Sequence, residues 1–137
     1  FRMGQLYGYD LQLSEQWQGI DLIIPVPLHP AREQERGYNQ SECIASGLAS
    51  IMDIPMSTTC LKRSINTPSQ TQKSRFDRYE NLKNAFEISH GDEIKGKHIL
   101  LVDDVLTTGA TLEACALTLL EQADVQLSIV SMAYAKD

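Results

Sequence analysis

Two adjacent carboxylates and a threonine-rich turn follow one another in the segment LLVDDVLTTGATL, residues 100–112. Asp103 and Asp104 end an apolar run, and the turn occupies residues 107–111. Carboxylate oxygens accept hydrogen bonds from hydroxyl groups, whereas a glycine-containing turn offers successive backbone N–H groups to an anion. Because buried charge costs free energy unless a partner compensates it, the segment predicts a ligand site with two halves, one for hydroxyl groups and one for phosphate.

The turn has several potential donors to a phosphate. Gly109 permits a left-handed backbone and close approach of a ligand, and the start of a following helix adds the positive end of its dipole. Each hydrogen bond to a charged group contributes about 1.5–3 kcal/mol, whereas the dipole contributes about 0.3–2 kcal/mol in total. The loop geometry should therefore decide affinity. The proposed phosphate ligands are Thr107, Thr108, Gly109, Ala110 and Thr111.

A ligand with ribose next to phosphate would satisfy both halves of the segment. A triphosphate site of the G-x-x-x-x-G-K-[ST] type is not indicated, because the segment lacks that pattern. A purely structural alternative remains open, in which the threonines cap the helix and the two acids face solvent.

The elements that must position these residues alternate between strand and helix, which predicts an α/β fold with a mainly parallel twisted sheet flanked by helices. Ligands bind at the carboxyl ends of the strands in such sheets. Residues 29–38 are predicted as a loop, a helix is predicted to begin at Asn39, and residues 64–84 form a long polar segment. Strands are predicted at residues 21–28, 54–63, 84–89, 98–105 and 125–135, and a second helix carries Leu112, Ala116, Leu119, Leu120 and Ala123 on one face.

Length and composition indicate one globular domain over residues 1–137, with a net charge of −6 that disfavours direct binding to nucleic acid. Neither a membrane-spanning run nor a signal peptide is indicated, and the three separated cysteines favour reduced thiols, so a cytoplasmic location is expected. His29, His90 and His98 are scattered, and no metal ligands are predicted. Because the sequence starts at Phe1 and not at Met, we expect an N-terminally truncated chain.

Three stretches carry a resemblance to a known family. The segment at 100–112 resembles the phosphoribosyl-pyrophosphate (PRPP) signature of type I phosphoribosyltransferases. Residues 23–49, IIPVPLHPAREQERGYNQSECIASGLA, and residues 67–86, TPSQTQKSRFDRYENLKNAF, are similar to the ComF family of late-competence proteins. Members of that family carry an N-terminal zinc-binding segment, which this sequence does not contain.

The resemblance implies a role for each part of the site. Asp103 and Asp104 would contact the ribose 2′ and 3′ hydroxyls as the catalytic pair, and residues 107–111 would hold the 5′-phosphate. Residues 64–84 would form a flexible flap over the ligand. The residues implied near the pyrophosphate or in the flap are Arg36, Gly37, Tyr38, Gln70 and Arg78.

By the same resemblance, the chain would be a ComF-type phosphoribosyltransferase. It would transfer the 5-phosphoribosyl group of PRPP to an unidentified acceptor and release pyrophosphate, with Mg²⁺ bound mainly through PRPP. The alternative is a non-catalytic PRPP-binding sensor or adaptor associated with competence for DNA uptake. A homodimer or a protein partner is left open, and an amidotransferase activity is not expected because the chain carries no glutaminase.

Overall fold

The computed structural model of the chain describes residues 1–64, 82, 84–121 and 124–135. The strands within these ranges are β1 (Leu22–Pro25), β2 (Leu61–Arg63), β3 (Phe86–Ile88), β4 (His98–Leu106) and β5 (Gln126–Tyr134). The helices are α1 (Arg2–Gln12), α2 (Pro30–Arg36), α3 (Gln40–Met52) and α4 (Ala110–Leu120).

Strand β4 lies at the centre of a parallel three-stranded sheet in the order β1-β4-β5. Its register pairs Ile99 with Leu22 on one side and with Leu127 on the other. The continuous apolar run of β4 is buried from Ile99 to Val102, because helices cover both faces of the sheet. The predicted α/β fold with a parallel sheet is confirmed.

The two faces of the sheet pack against different layers. On one face, Ile23, Leu100 and Val102 pack with residues of α1 and α3. On the other face, Ile24 and Leu101 pack with residues of α4 and of the β2–β3 pair. Alternate residues of each strand therefore belong to opposite halves of the core, as the two-residue period of a strand requires.

Helix α1 lies close to α3 because both carry glycine where they meet. A Cβ at Gly47 would stand 2.3 Å from the carbonyl oxygen of Phe1, and one at Gly4 would stand 2.2 Å from that of Ile44. Alanine at either position would force the helices apart. This contact fixes α3, whose N-terminus reaches the carboxyl edge of the sheet.

Two predictions of local structure were wrong. Residues 29–38, predicted as a loop, contain helix α2, since Pro30 suits the first helical position and His29 Nδ1 accepts a hydrogen bond from Ala31 N at 3.1 Å. Residues 54–63 form a strand only at Leu61–Arg63, with an isolated bridge between Met56 and Ile23. Strand β2 pairs antiparallel with β3, in a sheet separate from the parallel one.

The face predicted for the helix after the threonine turn is only partly correct. Leu112 and Leu119 are buried as expected, but Leu120 is 52% exposed. Cys115, which the predicted face omitted, is fully buried. Ala123 and most of the flap predicted at 64–84 lie outside the described residues. No described helix has the length and apolar character needed to cross a membrane.

Candidate functional site

Strand β4 carries Asp103 to the carboxyl edge of the sheet, where the core ends. The side chain is only 9% exposed. Its Oδ1 accepts a hydrogen bond from the Ser41 hydroxyl at 3.0 Å and another from the backbone N–H of Asp104 at 2.9 Å. The carboxylate is therefore held in one orientation by α3 and by its own strand.

Burial is the main influence on the ionisation of Asp103. Loss of solvation raises the pKa of this carboxyl from 3.8 to about 6, and the neighbouring Asp104 carboxylate adds to the increase. The hydrogen bonds from Ser41 and from the Asp104 N–H act in the opposite direction. At neutral pH Asp103 is therefore mainly ionised and can accept hydrogen bonds from hydroxyl groups.

Asp104, the next residue of β4, is half-buried. Its Oδ1 accepts a hydrogen bond from the backbone N–H of Val105 at 2.8 Å. Val105 itself is 40% exposed, so β4 leaves the core within two residues of Asp103. The two carboxylates thus lie at the boundary between the apolar interior and solvent, where a polar ligand can reach them.

The threonine turn joins the end of β4 to the start of α4. Thr107 and Thr108 are exposed, whereas residues 109–111 are half-buried. Gly109 has φ 80°, a left-handed conformation that favours glycine, and it precedes the first helical residue. The residue just before the turn is bound to the end of β5, because Ala135 N donates a hydrogen bond to Leu106 O at 2.9 Å.

The N-terminus of α4 has no side-chain cap from Gly109. The first turn of any α-helix leaves backbone N–H groups without partners inside the helix. One of them, Ala110 N, makes only a long contact of 3.4 Å with Thr108 Oγ1. The turn that follows the two acids in the chain therefore has exposed threonine hydroxyls and first-turn N–H groups of α4; the two-part ligand site stays a prediction.

The segment predicted near the pyrophosphate precedes α3. Arg36 is exposed and donates a hydrogen bond to Gln40 Oε1, and Gly37 ends α2 with φ 89°. Tyr38 is 51% exposed. The structure therefore places all three residues at the surface just before the helix whose residue Ser41 contacts Asp103.

Two clefts lie beside the carboxyl end of β1. One, of about 390 Å³, is lined by Leu28, Arg32, Glu35 and Arg36, so both arginines of α2 face the same space. The other, of about 400 Å³, lies between the loop after β1, the start of α3 and strand β2. The acids at 103–104 and the turn at 107–111 do not line either cleft. Gln70 and Arg78 lie outside the described residues.

Three residues that the sequence did not predict as part of the site are Ser41, Arg63 and Cys115. Ser41 is 4% exposed and 62 residues away from its partner Asp103. Arg63 of β2 lies over the Phe86 ring at 5.5 Å, and burial, with Arg32 adding to it, lowers the pKa of its guanidinium. Burial raises the pKa of the Cys115 thiol, with Asp103 adding to it. All three depend on packing between α3, α4 and β2, which periodicity does not reveal.

Metal ligands from the protein are not gathered at this edge. Within residues 1–64, 82, 84–121 and 124–135, no three His, Cys, Asp or Glu side chains lie close enough to share an ion. Cys43, Cys60 and Cys115 are free thiols. His29 caps α2, and His98 Nε2 is 2.8 Å from Ser128 Oγ, so both of these histidines have structural contacts.

Comparison with known proteins places this arrangement in a family. The family described as "Phosphoribosyl transferase domain" matches residues 39–136, a range that includes Ser41, both acids and the threonine turn. A solved purine phosphoribosyltransferase from Pyrococcus horikoshii has the same fold, with a TM-score of 0.58 and 20% identity. The match covers 98% of this chain and 80% of that one.

Two curated relatives are more similar in sequence. Competence protein F of Haemophilus influenzae is 40% identical over 104 residues, which are 75% of this chain and 45% of the relative. Competence protein ComFC of Bacillus subtilis is 34% identical over 101 residues, 74% of this chain and 39% of the relative. The chain thus spans less than half the length of these relatives. The resemblance to ComF proteins is confirmed, and the chain belongs to the phosphoribosyl transferase domain family with a type I phosphoribosyltransferase fold.

Proposed function

We propose that this chain binds PRPP and transfers its 5-phosphoribosyl group to an acceptor, releasing pyrophosphate. The observation that carries the proposal is the sequence of groups at the end of β4. A buried, oriented carboxylate at Asp103 and a second one at Asp104 are followed at once by a turn with exposed hydroxyls and an uncapped helix start. Acids repel phosphate, so the two halves must recognise different parts of one ligand.

Each half has a role toward ribose 5-phosphate. The Asp103 and Asp104 carboxylates would accept hydrogen bonds from the 2′ and 3′ hydroxyls of the sugar. The turn at residues 107–111 would donate to the 5′-phosphate through backbone N–H groups and hydroxyls. Each hydrogen bond to a charged group contributes about 1.5–3 kcal/mol, so a few such bonds suffice for a micromolar complex of about 8 kcal/mol.

The pyrophosphate would lie toward the segment before α3. Arg36, Gly37 and Tyr38 are exposed there, and Arg32 lines a cleft together with Arg36. Gln70 and Arg78, which the resemblance implies for the same group, lie outside the described residues. Mg²⁺ would be held mainly by PRPP oxygens and water. When bound, Mg²⁺ would offset the charge of the pyrophosphate.

The transfer would break the bond between ribose C1 and pyrophosphate and form a bond from C1 to the acceptor. The transition state resembles an oxocarbenium ion, so the protein has to hold the sugar rigidly and favour departure of pyrophosphate. Asp103 suits the first task because two hydrogen bonds fix its carboxylate. Residues 36–38 would serve the second task.

A thermal unfolding experiment tests the binding step. At PRPP concentrations a hundredfold above Kd, the free energy of unfolding should rise by about 2.7 kcal/mol, which corresponds to a Tm increase of roughly 10 °C for a chain of this size. The variant Asp104→Ala should lose the increase. Asp92→Ala, an exposed acid near the opposite end of β4, is the matched control and should retain it. An unchanged Tm of the wild-type protein with PRPP and Mg²⁺ would reject the proposal.

A second candidate is a PRPP-binding sensor or adaptor that does not turn over. The relatives are named for competence, not for an enzymatic activity, which favours this alternative. Incubation with PRPP, Mg²⁺ and a panel of nucleobases and amines, followed by measurement of pyrophosphate, separates the two candidates. Release that depends on one acceptor and is lost in Asp104→Ala supports the transferase, and binding without release supports the sensor.

A further inference from the structure

Among the described residues, Ser41 is the one residue outside β4 whose side chain donates a hydrogen bond to Asp103. Ser41 lies in the first turn of α3 and is 4% exposed, and its Oγ donates to Asp103 Oδ1 at 3.0 Å. The Asp104 N–H reaches the same oxygen at 2.9 Å. Both donors reach Oδ1, and within the described residues no hydrogen bond from an N–H or a serine or threonine hydroxyl to Oδ2 is found; the Asp104 carboxyl, which also contacts the Asp103 side chain, raises the pKa of Asp103.

The position of Ser41 is itself fixed by the cap of α3. Asn39 Oδ1 accepts a hydrogen bond from the Ser41 backbone N–H at 3.1 Å, and Asn39 Nδ2 donates to Val26 O at 3.1 Å. Val26 directly follows β1, so the start of α3 is tied to the sheet on one side of Ser41 and to Asp103 on the other. A rotation of α3 would move the Ser41 hydroxyl away from the acid.

We propose that Ser41 is a positioning residue for PRPP binding: it fixes Oδ1 of Asp103 so that Oδ2 faces the ribose, and it helps to keep that buried carboxylate charged. This role rests on the function proposed above. Helix α3 would thereby contribute to the site through Ser41, a contribution that could not be inferred from the threonine turn or from the two acids.

The surroundings of Asp103 support the electrostatic part of this role. Ser41 comes from α3, Asp104 from β4 itself and Cys115 from α4, with Arg63 of β2 close to Cys115. Burial is the largest cause that raises the pKa of Asp103 and the Asp104 carboxyl adds to it, and the pKa with all these groups present is about 6. Ser41 is the first of the groups that lower it. Removal of the hydroxyl should therefore raise the pKa of Asp103 toward neutrality.

Carbon-13 NMR titration of the side-chain carboxyl groups tests this point without any ligand. Asp103→Asn identifies the Asp103 resonance. In Ser41→Ala the midpoint should move up from about 6 by about one pH unit, the lower end of what a hydrogen bond to a charged group supports. Ser50→Ala is the matched control, since Ser50 lies on the same helix but donates to Gly47 O at 2.8 Å, and its titration should equal that of wild type. An unchanged midpoint in Ser41→Ala would overturn the proposal.

The pH dependence of PRPP affinity tests the second part. If the ligand needs an ionised Asp103, a midpoint that moves from about 6 to roughly one pH unit higher implies that the loss of charge in Ser41→Ala weakens binding about fivefold at pH 6, about twofold at pH 7 and hardly at pH 9. A loss that remains at pH 9 measures the misoriented carboxylate, whereas a loss of equal size at every pH would reject the electrostatic part of the proposal. Ser41→Cys, which keeps a weak donor of similar size, should show a smaller shift and serves if the alanine variant does not fold.

The two experiments separate failure of this inference from failure of the proposed function. If the wild-type protein does not bind PRPP at any pH, the proposed function is rejected, and with it the role of Oδ2 toward ribose. The NMR titration still decides whether Ser41 controls the charge of Asp103. If PRPP binds and Ser41→Ala matches wild type across the pH range, the positioning role is rejected and the proposed function stands.

Discussion

Helices α3 and α4 both begin at the carboxyl edge of the sheet, but their first turns are built differently. Helix α3 starts with Asn39, whose side-chain oxygen accepts from Ser41 N at 3.1 Å. Helix α4 starts after Gly109, which has no side chain to act as a cap. Since a side-chain cap contributes about 1 kcal/mol, the start of α4 lacks a stabilising contact that the start of α3 has.

The difference shows how the molecule divides its tasks. The first turn of α3 directs its polar groups inward, to Val26 O and to Asp103 Oδ1, and so holds the acid in place. The first turn of α4 directs its backbone donors outward, beside exposed threonines. In the proposed function, the 5′-phosphate supplies the missing contact at α4. Changes that give α4 a cap, or remove the one at α3, therefore test the comparison.

The largest effect is expected when α4 receives an acidic cap. In Thr108→Asp the carboxylate would accept from the first-turn N–H groups and stabilise the unligated helix by up to about 1 kcal/mol. It would also repel the phosphate by on the order of 4 kcal/mol at a separation near 4 Å, which corresponds to roughly a thousandfold loss of affinity. Titration calorimetry with PRPP measures the loss.

The control for this change is Thr108→Asn, which has nearly the same shape as the aspartate but no charge. It should cap α4 as well and lose far less affinity. Equal affinities of Thr108→Asp and wild type would mean that the phosphate does not bind at this helix start, and the contrast between α3 and α4 would then have no bearing on the ligand.

The next effect concerns the cost of keeping Asp103 charged inside the protein. Because its pKa is about 6 when folded and 3.8 otherwise, the folded state binds the proton more tightly, and stability falls as pH rises from about 4 to 6. Above pH 6 the full penalty applies, at most about 3 kcal/mol. Asp103→Asn should therefore be more stable than wild type at pH 8, lose this advantage near pH 4, and fail to bind PRPP.

Urea unfolding at several pH values checks this expectation, with Asp92→Asn as the exposed control. A difference between Asp103→Asn and wild type that is the same at pH 4 and pH 8 would show that the charge of Asp103 is not the cause. A gain in stability together with a loss of binding is the signature of a residue retained for its ligand.

Much of the fold follows from patterns within single segments. The apolar run before Asp103 predicts the central strand, and the alternation in residues 125–135 predicts β5, because both patterns depend only on local burial. Residues 29–38 were misassigned, since a polar composition with Gly37 suggests a loop, whereas Pro30 and the His29 cap favour helix α2. The proposed phosphate and ribose halves of the site could be inferred from the sequence alone because they are contiguous in it.

The residues that contact or surround Asp103 were not predictable, because their positions depend on contacts between segments that are distant in sequence. Ser41 lies 62 residues from Asp103, and no periodicity relates them. Cys115 comes within electrostatic reach of both Asp103 and Arg63 only when β2 and α4 pack on the same face of the sheet. Sequence patterns therefore predicted the groups proposed to contact the ligand, and the structure added a residue that orients one of them.

A smaller effect is expected from removing the cap of α3. Asn39→Ala loses the bond to Ser41 N and the bond to Val26 O, so the free energy of unfolding should fall by about 2 kcal/mol. Asn39→Ser keeps an oxygen for the cap and loses only the bond to Val26. Its free energy of unfolding should therefore fall by about half as much. Chemical denaturation of both variants measures the two contributions, and equal losses would show that the cap itself contributes nothing.

The smallest effect is expected from substitution of Gly109, the residue of the threonine turn that directly precedes α4. A Cβ there would meet nothing closer than Leu106 Cδ1 at 3.6 Å, so Gly109→Ala adds only the strain of a left-handed alanine at φ 80°, about 1 kcal/mol. Gly96→Ala, with φ 73° and open space around it, carries the same strain just before β4 begins. Both should lose similar stability in thermal unfolding, but only Gly109→Ala should weaken PRPP binding, by roughly tenfold, the equivalent of one displaced charged hydrogen bond. If both variants bind PRPP equally, the backbone of the turn does not contact the phosphate, and the open start of α4 needs another explanation.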